Sequence, residues 1–178
     1  QFDAEAKMGF MTSTTLHQAV KDYGENLSLA ALGAIEKKGD GEEVRVIYDA
    51  THGVLTNFLV RVRDLVRNPT AADIRAVMGE IASERSAHFT LVYDVSHAHR
   101  RIPVEESEWG RLGCQIEGTA AESYRAAVET HKTAGGGAGS PPFSLASVRF
   151  TEKQLSEEVW LNTVGAFGVG SAGYWWCR

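Results

Sequence analysis

Cysteine is scarce: the 178-residue chain has two, Cys114 and Cys177. Two cannot build the framework of a disulfide-rich domain or a full zinc-thiolate ligand set. They are read as reduced thiols of an intracellular protein. No apolar run reaches the roughly 18–20 residues a bilayer requires, so no spanning helix is expected. The first residues lack a basic stretch followed by an apolar run, so no secretory signal is expected either. The chain starts with Gln1 and not Met, and the natural protein is expected to begin earlier. Positive charge is not in excess: the formal net charge is −5. That total argues against an autonomous nucleic-acid binder, because phosphate is neutralised by Lys and Arg. It leaves room for a protein whose basic residues cluster locally. A Gly-x-Ser-x-Gly elbow is also missing, which removes a Ser–His–Asp hydrolase of that type.

What is present is an ordinary globular composition, 43% hydrophobic and 23% charged, sufficient for a core of normal size. The length suits one domain or a large piece of one. Residues 16–20 are expected as a short helix. Residues 27–35 are apolar, and residues 44–48 are β-branched and aromatic, hence a strand. Lys37-Lys38-Gly39-Asp40-Gly41 reads as the turn of a hairpin between them, longer than the tightest types. Residues 58–66 alternate apolar residues with Arg until Asn68-Pro69 stops them. Thr70 and Asp73 have capping-box spacing. Ile74, Val77, Met78 and Ile81 then recur at i, i+3, i+4 and i+7, one helical face expected to pack on the core.

Residues 89–95 make the best strand of the sequence. Residues 109–115 are expected to form a strand leading away from it. Thr119 with Glu122 repeats the capping signature before a helix expected to run to about His131. Residues 134–142 are a Gly-rich connection ending in Pro-Pro. Residues 151–158 are expected as a helical turn, and Ser171 opens an expected terminal helix carrying Tyr174, Trp175 and Trp176. These rings belong to a core or an interface, or stack on bases. The alternation of strands and helices indicates an α/β or α+β architecture.

Asp94 closes the apolar run Leu91-Val92-Tyr93. A carboxylate is costly to bury unpaired, and the end of a strand is where α/β sheets place ligands. Held there, it can bind a hard cation such as Mg2+, which keeps phosphate oxygens and water as its other ligands. Taken alone, such an aspartate more often caps a turn or a helix.

The residues that follow narrow the reading. Asp94, Ala98, Arg100, Ile102, Pro103 and Val104 resemble the first catalytic motif of reverse transcriptases, Asp-x-x-x-Ala-ring-Arg-x-Ile-Pro-apolar. His99 departs from it, standing where the family has an aromatic ring beneath the sugar of the incoming nucleotide. Upstream, Arg45-Val46-Ile47, Asp49, Thr51, Gly53 and Asn57 resemble, one residue short, the fingers motif of retrotransposon enzymes. Lys37-Lys38 resembles the turn before that motif. Downstream, Phe167, Gly168 and Ala172 resemble the Phe-Gly-Leu-x-x-Ala-Pro motif, with Ala166 and Gly173 in place of its prolines. The three occur in the family's order. The resemblance covers residues 32–178, with 118–158 as an insertion or loop, and assigns no role to residues 1–31.

The resemblance implies the fingers and part of the palm of an RNA-directed DNA polymerase from a retrotransposon-type element, an α/β (α+β) fold truncated before the x-x-Asp-Asp hairpin. Its partners would be deoxynucleoside triphosphates and an RNA or DNA template with primer. Asp94, with the carbonyl of Val95, would hold metal, two Mg2+ (or Mn2+) ions in the complete enzyme. Arg45, Lys37 and Lys38 would bind the triphosphate, and His99 would lie under the sugar. Phe167 and Gly168 would line nucleotide and template. Two-metal transfer needs carboxylates that bridge cations roughly 3.5–4 Å apart, and the sequence has no Asp-Asp pair. The chain alone is therefore expected to be inactive and the longer natural protein active. The alternative is a non-catalytic relic or domesticated nucleic-acid-binding module that keeps the fold. A different reading makes His97, His99 and Asp94 a zinc or iron site. No membrane partner is expected.

Overall fold

A strand near residue 13 pairs with one near residue 160, so distant parts of the chain share one sheet. The computed structural model describes residues 1–36, 44–63, 67, 69–84, 87, 89, 91–135, 142–166 and 168–171. In chain order its elements are α1 (Phe2–Lys7), β1 (Met11–Thr15), α2 (Leu16–Tyr23), β2 (Leu29–Glu36), β3 (Val44–Asp49), α3 (Thr56–Leu59), α4 (Ala71–Ser83), β4 (Gly113–Cys114), α5 (Ala120–Thr133), α6 (Glu152–Leu155) and β5 (Glu158–Asn162). Short 3-10 turns lie at Gly24–Asn26, Ala98–Arg101, Glu106–Leu112 and Leu145–Ser147. The five strands form one sheet in the order β1-β5-β4-β2-β3. β4 is parallel to β2 and the other neighbours are antiparallel. The architecture is therefore mixed, of the α+β kind.

Side chains alternate along a strand, and the middle of this sheet is buried on both faces, while the far end of the β2–β3 hairpin is exposed. Leu29, Val159 and Leu161 are buried on one, and Ala30, Cys114 and Trp160 on the other. Phe2 meets Trp160 edge-on, 5.5 Å between ring centroids, which places α1 on the second face. Leu16 and Ala19 of α2 and Ala120, Tyr124 and Val128 of α5 complete the core. Segment 118–158 thus contributes core, as do residues 1–31. The β2–β3 hairpin forms with Leu32 opposite Tyr48 and Ile35 opposite Arg45.

Local capping explains where most helices begin. The Thr15 hydroxyl accepts from Gln18 N at 3.2 Å. Thr70 with Asp73, and Thr151 with Gln154, form reciprocal capping boxes. The expected box of Thr119 with Glu122 does not form. Glu157 does that work instead: its Oε2 accepts from Thr119 N and Ala120 N at 2.9 and 3.0 Å. It also accepts from Gln115 Nε2 at 2.8 Å. A carboxylate arriving from outside the helix satisfies its free N–H groups and a side chain beside the sheet together.

Three further expectations are corrected. Residues 91–95 form no strand, and Phe89, Val92 and Tyr93 are 83%, 90% and 79% exposed. Strand propensity needs a neighbour to pair with, and none of the described strands pairs with these residues. Helix α4 forms, but Ile74, Val77 and Met78 are more than half exposed. Periodicity specifies a face and not what covers it. Residues 109–115 are mostly the Glu106–Leu112 turn, with a strand only at Gly113–Cys114. A Cβ on Gly110 would lie 2.5 Å from the Tyr23 ring, so close packing curls the chain there.

Burial raises the Glu157 carboxyl, but the hydrogen bonds from Ala120, Gln115 and Thr119 outweigh it and hold it below its ordinary 4.5. Its stabilisation is complete above that ordinary value and fades as pH falls through the lowered one. Glu157→Gln is expected to cost about 1 kcal/mol at neutral pH. Below the lowered value the cost vanishes, as denaturant titrations at the two pH values will show.

Candidate functional site

One face of the sheet floors a cavity of about 660 Å³. Alternation and register put Met11, Leu32, Val44, Val46, Tyr48, Cys114 and Asn162 on that face. Phe2 and Glu5 of α1 and Met8 just after it line it, and so do residues 94–100. Arg45, Asp94, Val95 and His99, expected from two separate motifs, all line this one cavity. Gly168 does not; it packs on the main chain of Tyr48. Lys37, Lys38 and Phe167 lie outside the described residues.

The Asp94 segment is held by its downstream end. His97, with the left-handed φ of 56°, opens the Ala98–Arg101 turn, a conformation uncommon for a residue with a side chain. Arg100, in that turn, drives its guanidinium toward the sheet. It pairs with Glu5, the two side chains being 14% and 11% exposed. Its Nη1 donates to Asn162 Oδ1 at 2.5 Å. Asn162 is itself buried, and its Nδ2 donates to the Leu112 carbonyl at 2.9 Å. Beyond the turn, Gly165 N donates to the Ile102 carbonyl at 2.8 Å, and Pro103 bridges to Val164. A Cβ on Gly165 would come within 2.6 Å of the His99 carbonyl, so only glycine lets the turn lie this close.

The motif that begins at Arg45 has a local physical account. The Asp49 carboxylate accepts from the backbone N–H groups of Thr51 and His52, both at 3.0 Å. It also pairs with the His52 ring at 2.9 Å. Burial raises Asp49, but these partners prevail and hold its carboxyl below the usual aspartate range. Gly53 follows with φ +67°. Asn57 then joins two parts of the chain: its Nδ2 donates to Thr51 Oγ1 at 2.8 Å and to the Gly168 carbonyl at 2.7 Å. Its Oδ1 accepts from Gly170 N at 2.7 Å. Motif residues 49, 51, 53 and 57 therefore build a turn that clamps the Gly168 loop. Gly168 has φ +94°, and a Cβ there would lie 2.0 Å from the Tyr48 carbonyl.

The titratable groups inside the cavity set its chemistry. Burial pushes the Cys114 thiol up to about 12, against the pull of Arg100. Burial likewise raises the Tyr48 phenol well above its usual value. Both are neutral at physiological pH and neither is an activated nucleophile. Among the described residues no three His, Cys, Asp or Glu gather as a metal ligand set, so His97, His99 and Asp94 do not form a zinc-type group. A larger groove, about 830 Å³, borders Leu59, Val60, Ile102, Pro103 and Val104. Its Arg111 is already paired with Glu108 at 2.6 Å and bonded to Asn26 at 2.5 Å. Its Arg61 donates to the carbonyls of Phe58 and Val60 at 2.6 and 3.0 Å, and the smaller cavity is the one that gathers the residues expected from the motifs.

Sequence reading missed Glu5 and Asn162. No local pattern pairs Glu5 with a residue 95 positions away. Asn162 carried only a faint signal, a polar residue ending an apolar strand.

Asn57→Ala removes three hydrogen bonds and is expected to cost about 1–3 kcal/mol in thermal unfolding, with faster hydrogen exchange at Gly170. Gly168→Ala is expected to cost about 2 kcal/mol through strain, and chemical denaturation will measure it.

Comparison with known proteins returns no relative: no family model matches the chain, and no curated protein or solved structure matches it significantly. The reading of the site rests on its own residues.

Proposed function

We propose that the cavity binds the triphosphate and sugar of a deoxynucleotide, as part of a reverse-transcriptase-type, template-directed nucleotidyltransferase of a retroelement. In this proposal the β2–β3 hairpin belongs to the fingers, and the cavity face with residues 94–104 to the palm. The observation that carries it is the convergence of Asp94, Val95 and His99 on one cavity that Arg45 borders from β3, its side chain alternating to the face opposite Val44 and Val46. Its volume lies within the range of small-ligand sites, roughly 300–1,000 Å³.

Each group has a task suited to its chemistry. The Arg45 guanidinium, on β3 at the end of the sheet, offers a fork to phosphate oxygens that extend past the rim of the cavity. The Asp94 carboxylate and the Val95 carbonyl are hard oxygen donors for the cation of a metal–nucleotide complex. His99 presents a ring to the sugar, smaller and more polar than a phenyl group. A primer hydroxyl would be the nucleophile, supplied by the nucleic acid. A bridged pair of cations asks for more carboxylates than Asp94 alone, and the described residues bring no such group together. The residues present do not fit an ion pair of that kind, and no step through one is assigned to them. That same observation favours the second reading, a non-catalytic nucleic-acid-binding module built on this fold.

Titration of a fluorescent deoxynucleoside triphosphate with Mg2+ or Mn2+ tests the proposal. Saturable binding is expected, weakened about tenfold or more by Arg45→Ala and by Asp94→Ala. Lys132→Ala, remote from the cavity, is expected to leave it unchanged. No saturable binding, or equal affinity in all four proteins, sinks the reading. Primer extension by the longer natural protein then separates polymerase from binding module: the polymerase extends and loses that activity in Asp94→Ala.

A further inference from the structure

We infer that Glu5, on helix α1, is a positioning residue for Asp94 and His99, acting through Arg100; this rests on the nucleotide-binding reading of the cavity. The argument starts from what holds Asp94. Residues 91–95 have no strand ladder among the described residues. Leu91, Val92 and Tyr93 are 60%, 90% and 79% exposed, so packing does not fix them. The nearest firm attachment lies downstream, where the Ala98–Arg101 turn meets the sheet. That turn opens on His97 with φ 56°, a conformation that persists only when its surroundings enforce it.

Arg100 supplies the enforcement. Its guanidinium reaches Asn162 and Glu5 together. The Asn162 contact is to a neutral amide, so Glu5 provides the compensating charge for a cation that is 14% exposed. Without that charge, Arg100 gains by moving out to water or toward any anion in the cavity. Either movement carries the turn, and with it His99 and Asp94. Glu5 itself lines the cavity, but its charge is engaged by Arg100 and is not offered to a ligand. Helix α1 is therefore part of the site and not only of the core.

Glu5→Gln tests this, with Glu5→Asp as the charge-conserving control. Hydrogen exchange in residues 97–104 is expected to quicken about tenfold or more in Glu5→Gln while the β1–β5 ladder keeps its protection. Affinity for a fluorescent deoxynucleoside triphosphate with Mn2+ is expected to fall about tenfold, and Glu5→Asp to restore most of it. A purely structural role predicts loss of protection across the whole sheet, and that result overturns the inference. Unchanged exchange in 97–104 overturns it as well. Should Glu5→Gln not fold, Arg100→Lys replaces it: the charge stays, the fork that spans Glu5 and Asn162 is lost, and the same local loosening is required. If the wild-type chain binds no nucleotide, the proposed function fails, and the exchange measurement still decides whether Glu5 orders the turn.

Discussion

A guanidinium removed from water must find acceptors on several sides. Arg100 has them in Glu5, Asn162 and, at 3.5 Å, the Gly165 carbonyl. Burial draws its basicity down, and Glu5 draws it back up. Such a buried pair contributes little net stability over an apolar equivalent, yet it penalises heavily any arrangement that separates the partners. Helix α1, the end of β5 and the Ala98–Arg101 turn are consequently bound into one geometry. Asn162 extends the linkage to Leu112 and hence to the start of β4.

Several loops of the fold are held by single polar side chains and not by strand ladders. Asn57 clamps the Gly168 loop to the Asp49 turn. The Arg111 carbonyl accepts from the Tyr48 hydroxyl and from Thr56 Oγ1 at 3.1 and 3.0 Å. Glu157 gathers Gln115 and the first turn of α5. Each of these groups satisfies backbone atoms that no regular element serves. The arrangement suits a site whose parts come from distant segments, because a side-chain clamp fixes a loop without extending the sheet.

What could be read from the sequence follows the range of the interaction responsible. The boxes at Thr70 and Thr151 span three residues, and both form. The hairpin of β2 with β3 joins neighbouring runs, and it forms too. The exposed face of α4 and the unpaired residues 91–95 were misjudged because local pattern does not reveal what stands opposite. The cap of α5 was misassigned for a related reason: Glu157 approaches from 38 positions away and outcompetes Glu122. Arg45, Asp94, Val95 and His99 came from the order of motifs, and they share a cavity. Glu5, which completes that cavity, has no motif of its own.

The pairing of β1 with β5 has a consequence for how the chain comes into being. During synthesis, Met11–Thr15 emerges early, while its partner Glu158–Asn162 leaves the ribosome much later. Until then β1 has no partner among the described strands, where β5 alone stands beside it. Arg100 likewise waits for two of its three acceptors, Asn162 and the Gly165 carbonyl. Completion of this sheet is thus a late event that rests on non-local pairing, which slows folding. A nascent chain that exposes an unpaired strand for so long is a natural client for chaperones.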